Sequence, residues 1–325
     1  MAARLGEFER IARFFAPLAA PGALGLTDDV AVIDGPDGQE YVLKTDAIVE
    51  GVHFLPDDPP ELVAKKLLRV NLSDLAGKGA VPIGYLLMTA LPRSRDDAWL
   101  AAFAAGLGAD QVAFGIGLLG GDSTATDGPI TLSATVIGRV PRGRTPLRSD
   151  AKPGDLVYVS GTLGDAALGL LVLQRKLAGL DAAHRAFLAA RYRLPEPRLK
   201  LGQRLLGIVH AMMDISDGLV ADLGHICETS GVAARIEAAA LPLSPAARAV
   251  LAAEPQRLSA VLGGGDDYEL LLTVSGAKSS ALPLLAAETG VPLTRIGRIE
   301  TGSGVVVIDA QGQAMPVTVA GYQHF

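Results

Sequence analysis

The chain has 325 residues, of which 49% are hydrophobic and 20% charged, and its formal net charge is -6. These values predict an ordinary soluble protein with one large domain or two smaller ones and an ample apolar core. The negative charge, without a Lys/Arg run or a basic helical stripe, argues against a nucleic-acid partner. Because Cys227 is the only cysteine, an intramolecular disulfide and a cysteine-based metal cluster are also excluded.

The sequence shows no sign of a membrane anchor or a signal peptide. The first residues lack the long apolar core of a signal peptide. Apolar runs such as residues 83–91 are far shorter than the roughly 20 residues that span a bilayer. We therefore expect a cytoplasmic protein with no membrane partner.

Apolar periodicity and turn residues predict an α/β domain for residues 1–140. The first two predicted strands form a hairpin around a Gly/Pro-rich turn, and Thr45-Asp46 is expected where the second strand ends. The hairpin would bring Asp28 or Asp29 close to that pair. The elements predicted in this half are helices at 7–15, from Pro59 to about Leu75 and at 94–106, and strands at 30–33, 41–43, 83–91, 116–119 and 130–140.

Residues 150–325 are predicted to form a second α/β domain after an Arg-, Pro- and Gly-rich linker at 141–150. Strands and helices alternate along this half, as they do in the first. Strands are expected at 156–160, 211–213, 232–236, 268–274, 293–299 and 305–308, and helices from Ala166, on both sides of 194–197, and at 218–229, 246–262 and 281–289.

Two nucleotide-binding motifs are matched only superficially. Gly115–Gly120 has the spacing of the dinucleotide fingerprint, but its glycines lie around or within a predicted strand and no helix follows. Gly77-Lys78 is followed by Gly79 instead of Ser or Thr, so a P-loop would lack the hydroxyl that binds Mg²⁺. Nicotinamide binding and P-loop chemistry are therefore disfavoured.

Five short acidic turns, each beside an apolar run, are the strongest chemical signal in the sequence. Mg²⁺ prefers oxygen ligands and is usually held by one or two carboxylates together with substrate phosphates. Any one of these turns could be a helix cap or a solvated turn, but together they predict a metal–nucleotide site assembled from distant segments. The turns are Thr27-Asp28-Asp29, Thr45-Asp46, Asn71–Asp74, Gly120-Gly121-Asp122 and Asp214–Gly218.

Three further positions have two possible interpretations. His53, which follows Asp46 in a loop, is either a surface residue or part of the site. Arg148 in the linker is either a surface charge or a bidentate phosphate ligand. The turn Gly161–Gly164 is either an ordinary strand-to-helix connection or an anion site at the N-terminus of a helix.

In their order and spacing, these motifs closely resemble the thiamine-monophosphate kinases, which belong to the superfamily of aminoimidazole ribonucleotide synthetase. The resemblance covers essentially the whole chain. The matching motifs are Gly6-Glu7-Phe8, Asp28-Asp29-Val30-Ala31, Thr45-Asp46, Gly51-Val52-His53-Phe54, Val70–Ala76, Gly120-Gly121-Asp122, Arg148-Ser149, Lys152–Asp155, Asp214–Leu219, Asp267–Leu270 and Gly321–Phe325.

The resemblance implies a two-domain fold of mixed sheets with flanking helices, the first domain binding ATP and Mg²⁺ and forming a homodimer through a sheet-based interface. It also implies that ATP phosphorylates thiamine monophosphate to thiamine diphosphate with the help of several Mg²⁺ ions. The implied metal ligands are Asp29, Lys44 through its backbone, Thr45, Asp46, Asp74, Asp122, Asp214 and Asp217. The implied ATP contacts are Gly121, Asp122, Arg148 and Ser216, and the implied substrate contacts are His53, Asp266 and Tyr322.

The chain departs from the family pattern at two of these motifs. The family usually has Gly before the paired acids, where this chain has Thr27, and the larger residue implies a different local turn. The family usually has Glu at the position of Asp266, and the shorter side chain affects the implied contact with substrate.

Relatives within the superfamily and one different class of protein are the alternatives. Selenophosphate synthetase is expected to carry a reactive Cys or selenocysteine early in the chain, and the hydrogenase-maturation relative a Cys near its C-terminus. Cys227 alone supports neither. Aminoimidazole ribonucleotide synthetase stays possible, but it does not explain the Gly-Tyr-x-His-Phe ending. The second class is a non-catalytic divalent-metal-binding or scaffold protein.

Overall fold

The computed structural model describes residues 5–317 and Gly321, and within them the chain folds into two halves that each contain one sheet. The predicted helix at 7–15 is present as α1, which continues into a π-helical turn at Ile11–Phe15. The elements of the first half are α1 (Glu7–Arg10), β1 (Ala31–Asp34), β2 (Gln39–Val49), α2 (Pro60–Gly77), β3 (Val81–Pro92), α3 (Asp97–Phe114), β4 (Gly117–Thr126) and β5 (Thr131–Pro141).

The first sheet has the strand order β1-β2-β5-β3-β4 among the described residues. β3 and β4 are parallel, whereas the other neighbours are antiparallel. The predicted hairpin is confirmed, because β1 and β2 are antiparallel with Ala31 opposite Leu43. Asp29, two residues before Ala31, therefore extends toward Thr45, two residues after Leu43.

Strand β2 is longer than the sequence predicts. The apolar run suggests a strand at 41–43 that ends at Thr45-Asp46, whereas β2 spans Gln39–Val49 and contains both residues in its interior. That prediction is wrong because β5 pairs with β2 along its whole length, so that Asp46 lies opposite Ala134. Ladder hydrogen bonds, which apolar patterning does not reveal, continue the strand through its polar residues.

Strand β4 is also longer than predicted. The expected strand at 116–119 would leave Gly120-Gly121-Asp122 in a turn, but β4 contains these residues and continues to Thr126. The preceding helix, expected to end near Gly106, continues to Phe114 and ends at Gly115, which has a φ of 65°. β4 is an edge strand, and nearly all of its residues are exposed. An exposed polar strand gives no apolar signal, so the sequence pattern ends where the burial ends.

The second half contains one mixed sheet and its flanking helices. Its elements are β6 (Leu156–Ser160), α4 (Asp165–Leu173), α5 (Ala182–Arg193), α6 (Leu199–Leu205), β7 (Met212–Asp214), α7 (Leu219–Ser230), β8 (Ala233–Glu237), α8 (Pro245–Ala253), α9 (Leu258–Gly263), β9 (Leu270–Val274), α10 (Gly276–Ser279), α11 (Leu282–Thr289), β10 (Leu293–Glu300) and β11 (Gly304–Ile308). Among the described residues, the strand order of this sheet is β11-β8-β10-β6-β9-β7.

Helix α2 connects the two halves. It begins with Pro60 and Glu61, residue types that favour the first turn of a helix. It packs against β2, β3 and β5 of the first half and against α6 and β7 of the second. Every residue from Val70 to Gly77 is buried. One helix therefore fixes the position of both sheets at their junction.

The two mixed sheets with flanking helices confirm the predicted fold class. The predicted boundaries, with domains at 1–140 and 150–325, stay a prediction, and the segment between them contains a short 3₁₀ helix at Arg148–Asp150. Within residues 5–317, no helix is both long and apolar enough to cross a bilayer.

Candidate active site

Three aspartates from distant segments meet at the junction of the two halves. Asp29 precedes β1, Asp74 lies in α2, and Asp214 ends β7. One carboxylate oxygen of each lies within 4.8 Å of the others, and we call this group the acidic cluster. Gly77 favours the close approach of α2 to β7, because a Cβ there would lie 3.1 Å from the Asp214 backbone nitrogen. The structure thus brings together three of the predicted metal ligands.

Lys44 places a positive charge beside this cluster. Its Nζ lies 2.9 Å from Asp74 Oδ1 and 3.2 Å from Asp46 Oδ1. Burial alone would lower the pKa of Lys44, but the carboxylates of Asp74 and Asp46 outweigh burial and raise it well above its usual value. For Asp74 the balance is reversed, since burial raises its pKa despite the neighbouring Lys44. The Lys44 ammonium therefore links Asp46 to the acidic cluster.

Arg148 and Lys78 pair with Asp29 of the acidic cluster and with the adjacent Asp28. Arg148 donates from Nε to Asp29 Oδ2 at 3.0 Å and from Nη2 to Oδ1, and its backbone N–H donates to Asp28. Lys78 is fully buried, and its Nζ lies 2.7 Å from Asp28 Oδ1. Burial would raise the pKa of Asp29, but Arg148 and Lys78 reverse the effect and lower it to about 2. Asp29 is consequently an anion at neutral pH.

Asp214 is the member of the cluster best suited to an additional cation. Burial and the nearby Asp29 raise its pKa to about 6. Its Oδ2 atom is buried and makes no hydrogen bond of normal geometry within the described part of the chain, although the nearby Ser73 hydroxyl favours the charged form. Such an oxygen carries a free-energy cost unless a cation or donor approaches it. Clustered carboxylate oxygens are the donors that Mg²⁺ prefers, so these residues fit that ion.

Strand β2 presents Thr45 and Asp46 to opposite faces of the first sheet. Asp46 lies on the face of α2, and its backbone N–H donates to Asn71 Oδ1 at 2.8 Å. Thr45 Oγ1 accepts from Thr135 Oγ1 at 3.1 Å on the other face. Of these two residues, Asp46 directs its side chain toward the acidic cluster and Thr45 does not.

The turn between β7 and α7 carries the predicted residues Ser216 and Asp217. Asp222 Oδ2 accepts hydrogen bonds of 3.0–3.1 Å from the backbone N–H groups of Ser216, Asp217 and Gly218. Burial and Asp217 raise the pKa of Asp222 well above its usual value. Asp217, Asp222 and His225 form a second group whose ligand atoms lie within 4.8 Å of one another. One buried carboxylate thus determines the conformation of this turn.

His53 lies in the turn that follows β2, at the junction of the two halves. The backbone N–H of Val49 donates to its Nδ1 at 3.0 Å, so the neutral ring carries its proton on Nε2. Its carbonyl oxygen accepts from Lys66 Nζ at 2.8 Å and from the Tyr192 hydroxyl at 3.2 Å. The backbone of His53 is therefore bound to both halves of the protein, which an ordinary surface residue would not be.

Asp266 and Tyr268 lie on the other side of this junction in a strained backbone segment. Their φ angles are 71° and 50°, in the left-handed region that is unfavourable for residues other than Gly. The backbone N–H of Asp266 donates to the Ser216 carbonyl at 2.8 Å, and that of Tyr268 donates to the Ile215 carbonyl at 2.8 Å. These bonds hold the strained segment against the turn between β7 and α7.

Tyr268 links the surroundings of Asp266 to the acidic cluster. Its hydroxyl donates to Asp266 Oδ1 at 3.2 Å. Burial, followed by the carboxylates of Asp266, Asp46 and Asp214, raises the pKa of Tyr268 well above its usual value. The predicted substrate residues Asp266 and His53 therefore lie next to the predicted metal ligands, in one continuous site.

Gly121 and Asp122 are not brought to this site within a single chain. β4 is separated from β2 by β5 and β3, which places Asp122 roughly 14 Å across the sheet from Asp46 at the usual strand spacing. Asp122 pairs with Met88, on the face of the exposed Leu86, whereas the fully buried Tyr85 faces the core. Asp122 thus lies on the outer face of the sheet, opposite the face that carries the acidic cluster.

The turn Gly161–Gly164 does not present an open anion site. The Asp267 carboxylate accepts from the backbone N–H of Gly164 at 2.6 Å and from that of Ala166 at 3.3 Å. A side chain of the protein thus takes the position at the N-terminus of α4 that a phosphate would need. The interpretation as a structural turn is the correct one.

Both halves of the chain match domains of known proteins. The model of the AIR synthase related protein N-terminal domain matches residues 27–140, and the model of its C-terminal domain matches residues 152–310. The thiamine-monophosphate kinase of Caulobacter vibrioides is 44% identical over 92% of this chain and 85% of its own length. That of Escherichia coli strain K12 is 41% identical over 98% of each chain.

The chain belongs to the thiamine-monophosphate kinase family.

Solved structures support this membership. The structure of AaThiL complexed with AMPPCP and TMP matches this chain over its full length with a TM-score of 0.88 and 31% identity. The thiamine-monophosphate kinase of Stenotrophomonas maltophilia matches over 92% of this chain and 94% of its own length, with a TM-score of 0.79 and 40% identity. The similarity to this family thus extends across both halves.

Several residues of the site lie outside the sequence motifs. Lys66 and Lys78 are buried cations, at 2% and 0% exposure, that pair with acids of the site. The helical spacing of the sequence could have indicated that Lys66 is buried, because Lys66 lies on the same face of α2 as Val63 and Val70, in an otherwise apolar stripe. Among the residues that the family resemblance implies, Tyr322 lies outside the described residues.

Proposed function

We propose that this member of the thiamine-monophosphate kinase family transfers the γ-phosphoryl group of ATP to thiamine monophosphate and so forms thiamine diphosphate. The observation that carries the proposal is the acidic cluster of Asp29, Asp74 and Asp214 beside His53 and Asp266. A site for two phosphorylated reactants needs both a cation-binding region and a second region that orients the acceptor. Membership of the family supports the choice of reactants.

In this proposal Mg²⁺ ions would be held by the acidic cluster together with Asp46, Asp217 and the Lys44 carbonyl, whereas Thr45 would bind an ion from the opposite face of β2, where its side chain lies. When bound, the ions would neutralise the negative charges of the two reactants and of the phosphoryl group in transfer. Asp214 Oδ2, buried without a hydrogen bond of normal geometry among the described residues, supports the assignment.

We assign ATP contacts to Arg148 and Ser216 and acceptor contacts to His53, Asp266 and Tyr322. Arg148 is 9% exposed and pairs with Asp29, so its guanidinium is already oriented at the junction. His53 can donate from Nε2 to a phosphate oxygen, because its Nδ1 accepts from the backbone. The carboxylate of Asp266 suits an amino group of the acceptor.

The reaction needs no general base from the protein. The acceptor is a phosphate monoester whose second pKa is about 6, so it is already a nucleophilic dianion near neutral pH. Direct in-line transfer then depends on positioning the two reactants and on neutralising their charges. The chain's own contribution is to orient the acceptor at His53 and Asp266 and to fix the turn of Ser216.

We further propose a homodimer that forms through the outer face of the first sheet. This face exposes a group of large apolar side chains and the unpaired edge of β4, which favour association. A partner sheet packed here would bring Gly121 and Asp122 of one protomer to the outer face of β2 in the other, where Thr45 lies and which β4 of the same chain does not reach. The exposed apolar residues on this face are Val81, Ile83, Leu86 and Leu119.

The reaction consumes ATP, so we place it in the cytoplasm, where ATP is abundant.

The direct assay is release of ADP from ATP and Mg²⁺ with and without thiamine monophosphate. We expect release to depend on thiamine monophosphate. Release stimulated only by an aminoimidazole precursor would support the synthetase alternative instead. ATP binding without any turnover would support a non-catalytic protein.

A further inference from the structure

Lys66 is a buried lysine that none of the roles above includes. It lies in α2, and only 2% of its surface is exposed. Its neighbours on the same helix face, Val63, Leu67 and Val70, are buried and apolar. An ammonium group in such surroundings is costly unless every donor is satisfied. The ammonium group of Lys66 therefore needs partners that an apolar residue at this position would not need.

Lys66 Nζ has three donors and three partners. It donates to Asp266 Oδ2 at 2.9 Å and to the His53 carbonyl at 2.8 Å. It also lies 3.8 Å from the centroid of the Tyr192 ring, a distance that allows a cation–π interaction. Two hydrogen bonds and one ring contact thus surround an ammonium that carries three N–H groups. Lys66 therefore acts on the site through these neighbours.

The partners of Lys66 come from both halves of the protein. His53 follows β2 in the first half, whereas Asp266 and Tyr192 belong to the second half. Tyr192 reinforces the arrangement, because its hydroxyl donates to the same His53 carbonyl at 3.2 Å. The oxygen of Asp266 that Lys66 does not bind accepts from Tyr268 at 3.2 Å.

We propose that Lys66 is a positioning residue that sets the separation between His53 and Asp266 and so determines how tightly thiamine monophosphate is bound. The inference rests on the proposed function, in which these two residues contact the acceptor. Lys66 fixes the carboxylate that faces the acceptor and the backbone that carries the histidine. Loss of the ammonium leaves both groups present but no longer held at one distance.

The test replaces Lys66 with Met, which keeps the unbranched apolar chain and removes the charge. Isothermal titration calorimetry of the full-length protein with thiamine monophosphate should show a Kd about tenfold higher or more, the usual effect of losing hydrogen bonds to charged groups. The Kd for ATP in the absence of thiamine monophosphate should change less than about twofold, because Lys66 does not contact the acidic cluster. In turnover, KM for thiamine monophosphate should rise more than kcat falls.

The matched control is Lys65→Met, the same change at the next position of α2. Lys65 is partly exposed, and the variant should bind both ligands as the wild type does. Tyr192→Phe is the second variant, because it removes the hydroxyl that donates to the His53 carbonyl and changes no charge. It should raise the Kd for thiamine monophosphate about threefold, and it tests the proposal if Lys66→Met fails to fold.

Two results would overturn the inference. One is an unchanged Kd for thiamine monophosphate in a folded Lys66→Met protein, or in Tyr192→Phe if the former does not fold. The other is an equal loss of affinity for thiamine monophosphate and ATP, which indicates a general structural role. Failure of the proposed function is distinguishable, since the wild-type protein itself would then fail to bind thiamine monophosphate.

Discussion

At the scale of single residues, the side-chain charge of Asp214 should be needed for metal binding but not for the stability of the metal-free protein. Asp214→Asn removes one of three close carboxylates but keeps the size of the side chain. Without Mg²⁺ we expect the variant to be as stable as the wild type or more stable by about 1 kcal/mol, because like charges at short distance repel. The rise in Tm that Mg²⁺ produces in the wild type should be largely lost, because the ion loses a ligand.

The measurement is a thermal denaturation series with increasing MgCl₂. Asp34→Asn is the control, because this carboxylate is 80% exposed and lies on β1 outside the cluster. It should retain the full response to Mg²⁺. A wild-type response in Asp214→Asn would remove Asp214 from the metal site.

At the scale of elements, Asp267 ties the segment before β9 to the N-terminus of α4. Burial raises its pKa to about 8, even though the backbone N–H groups of Gly164 and Ala166 at the start of α4 favour the charged form. In the unfolded chain the pKa of Asp is about 3.9. Between these two values the folded state holds a proton that the unfolded state releases. The stability contributed by the protonated form is therefore present at low pH and is lost as the pH rises toward 8.

The expected result concerns the pH dependence and not the absolute stability. Between pH 5 and pH 8 the free energy of unfolding of the wild type should fall relative to that of Asp267→Asn, by at most about 1.4 kcal/mol per pH unit. Urea denaturation of both proteins at several pH values measures this difference. A constant difference from pH 5 to pH 8 would show that Asp267 does not titrate in this range.

Elements whose core faces are apolar could be predicted from the sequence, and polar extensions of strands could not. Helix α2 and strand β5 lie close to their predicted limits because their buried residues follow helical and alternating patterns. The interior of β2 and most of β4 were missed because ladder pairing alone keeps Thr45-Asp46 and Gly120-Gly121-Asp122 in strands. Burial leaves a pattern in the sequence, whereas backbone pairing with a distant strand does not.

The residues of the site also divide into those that could be predicted from the sequence and those that could not. Asp29, Asp74 and Asp214 could be predicted because acids beside strand and helix ends are candidate ligands wherever the chain brings them together. The cations that pair with acids of the site could not, since Lys66 and Lys78 join segments far apart in sequence. Such pairings depend on the packing of α2 between the sheets, which no local pattern specifies.

At the scale of the whole molecule, the position of Asp122 makes a prediction about assembly. In the proposed homodimer, Asp122 of one protomer completes the site of the other. Inactive Asp122→Asn and Asp214→Asn chains, mixed after unfolding and refolded together, would then form heterodimers with one intact site. For random pairing in a two-fold symmetric dimer we expect recovery of about a quarter of the wild-type activity.

The control mixes each inactive variant with itself and should recover no activity. If Asp122 acts within its own chain, every site of the heterodimer carries one substitution and the mixture stays inactive. Size-exclusion chromatography with light scattering gives the oligomeric state independently. A monomer would contradict the assembly and leave Gly121 and Asp122 too far from the acidic cluster.

The most direct test of the account follows the phosphoryl group itself. The protein is incubated with ATP labelled in the γ-phosphoryl group, Mg²⁺ and unlabelled thiamine monophosphate, and the products are separated by chromatography. We predict that the label appears in the terminal phosphate of thiamine diphosphate, in an amount equal to the ADP formed. Label recovered only as inorganic phosphate, or ADP formed without labelled thiamine diphosphate, would contradict the proposed phosphoryl transfer.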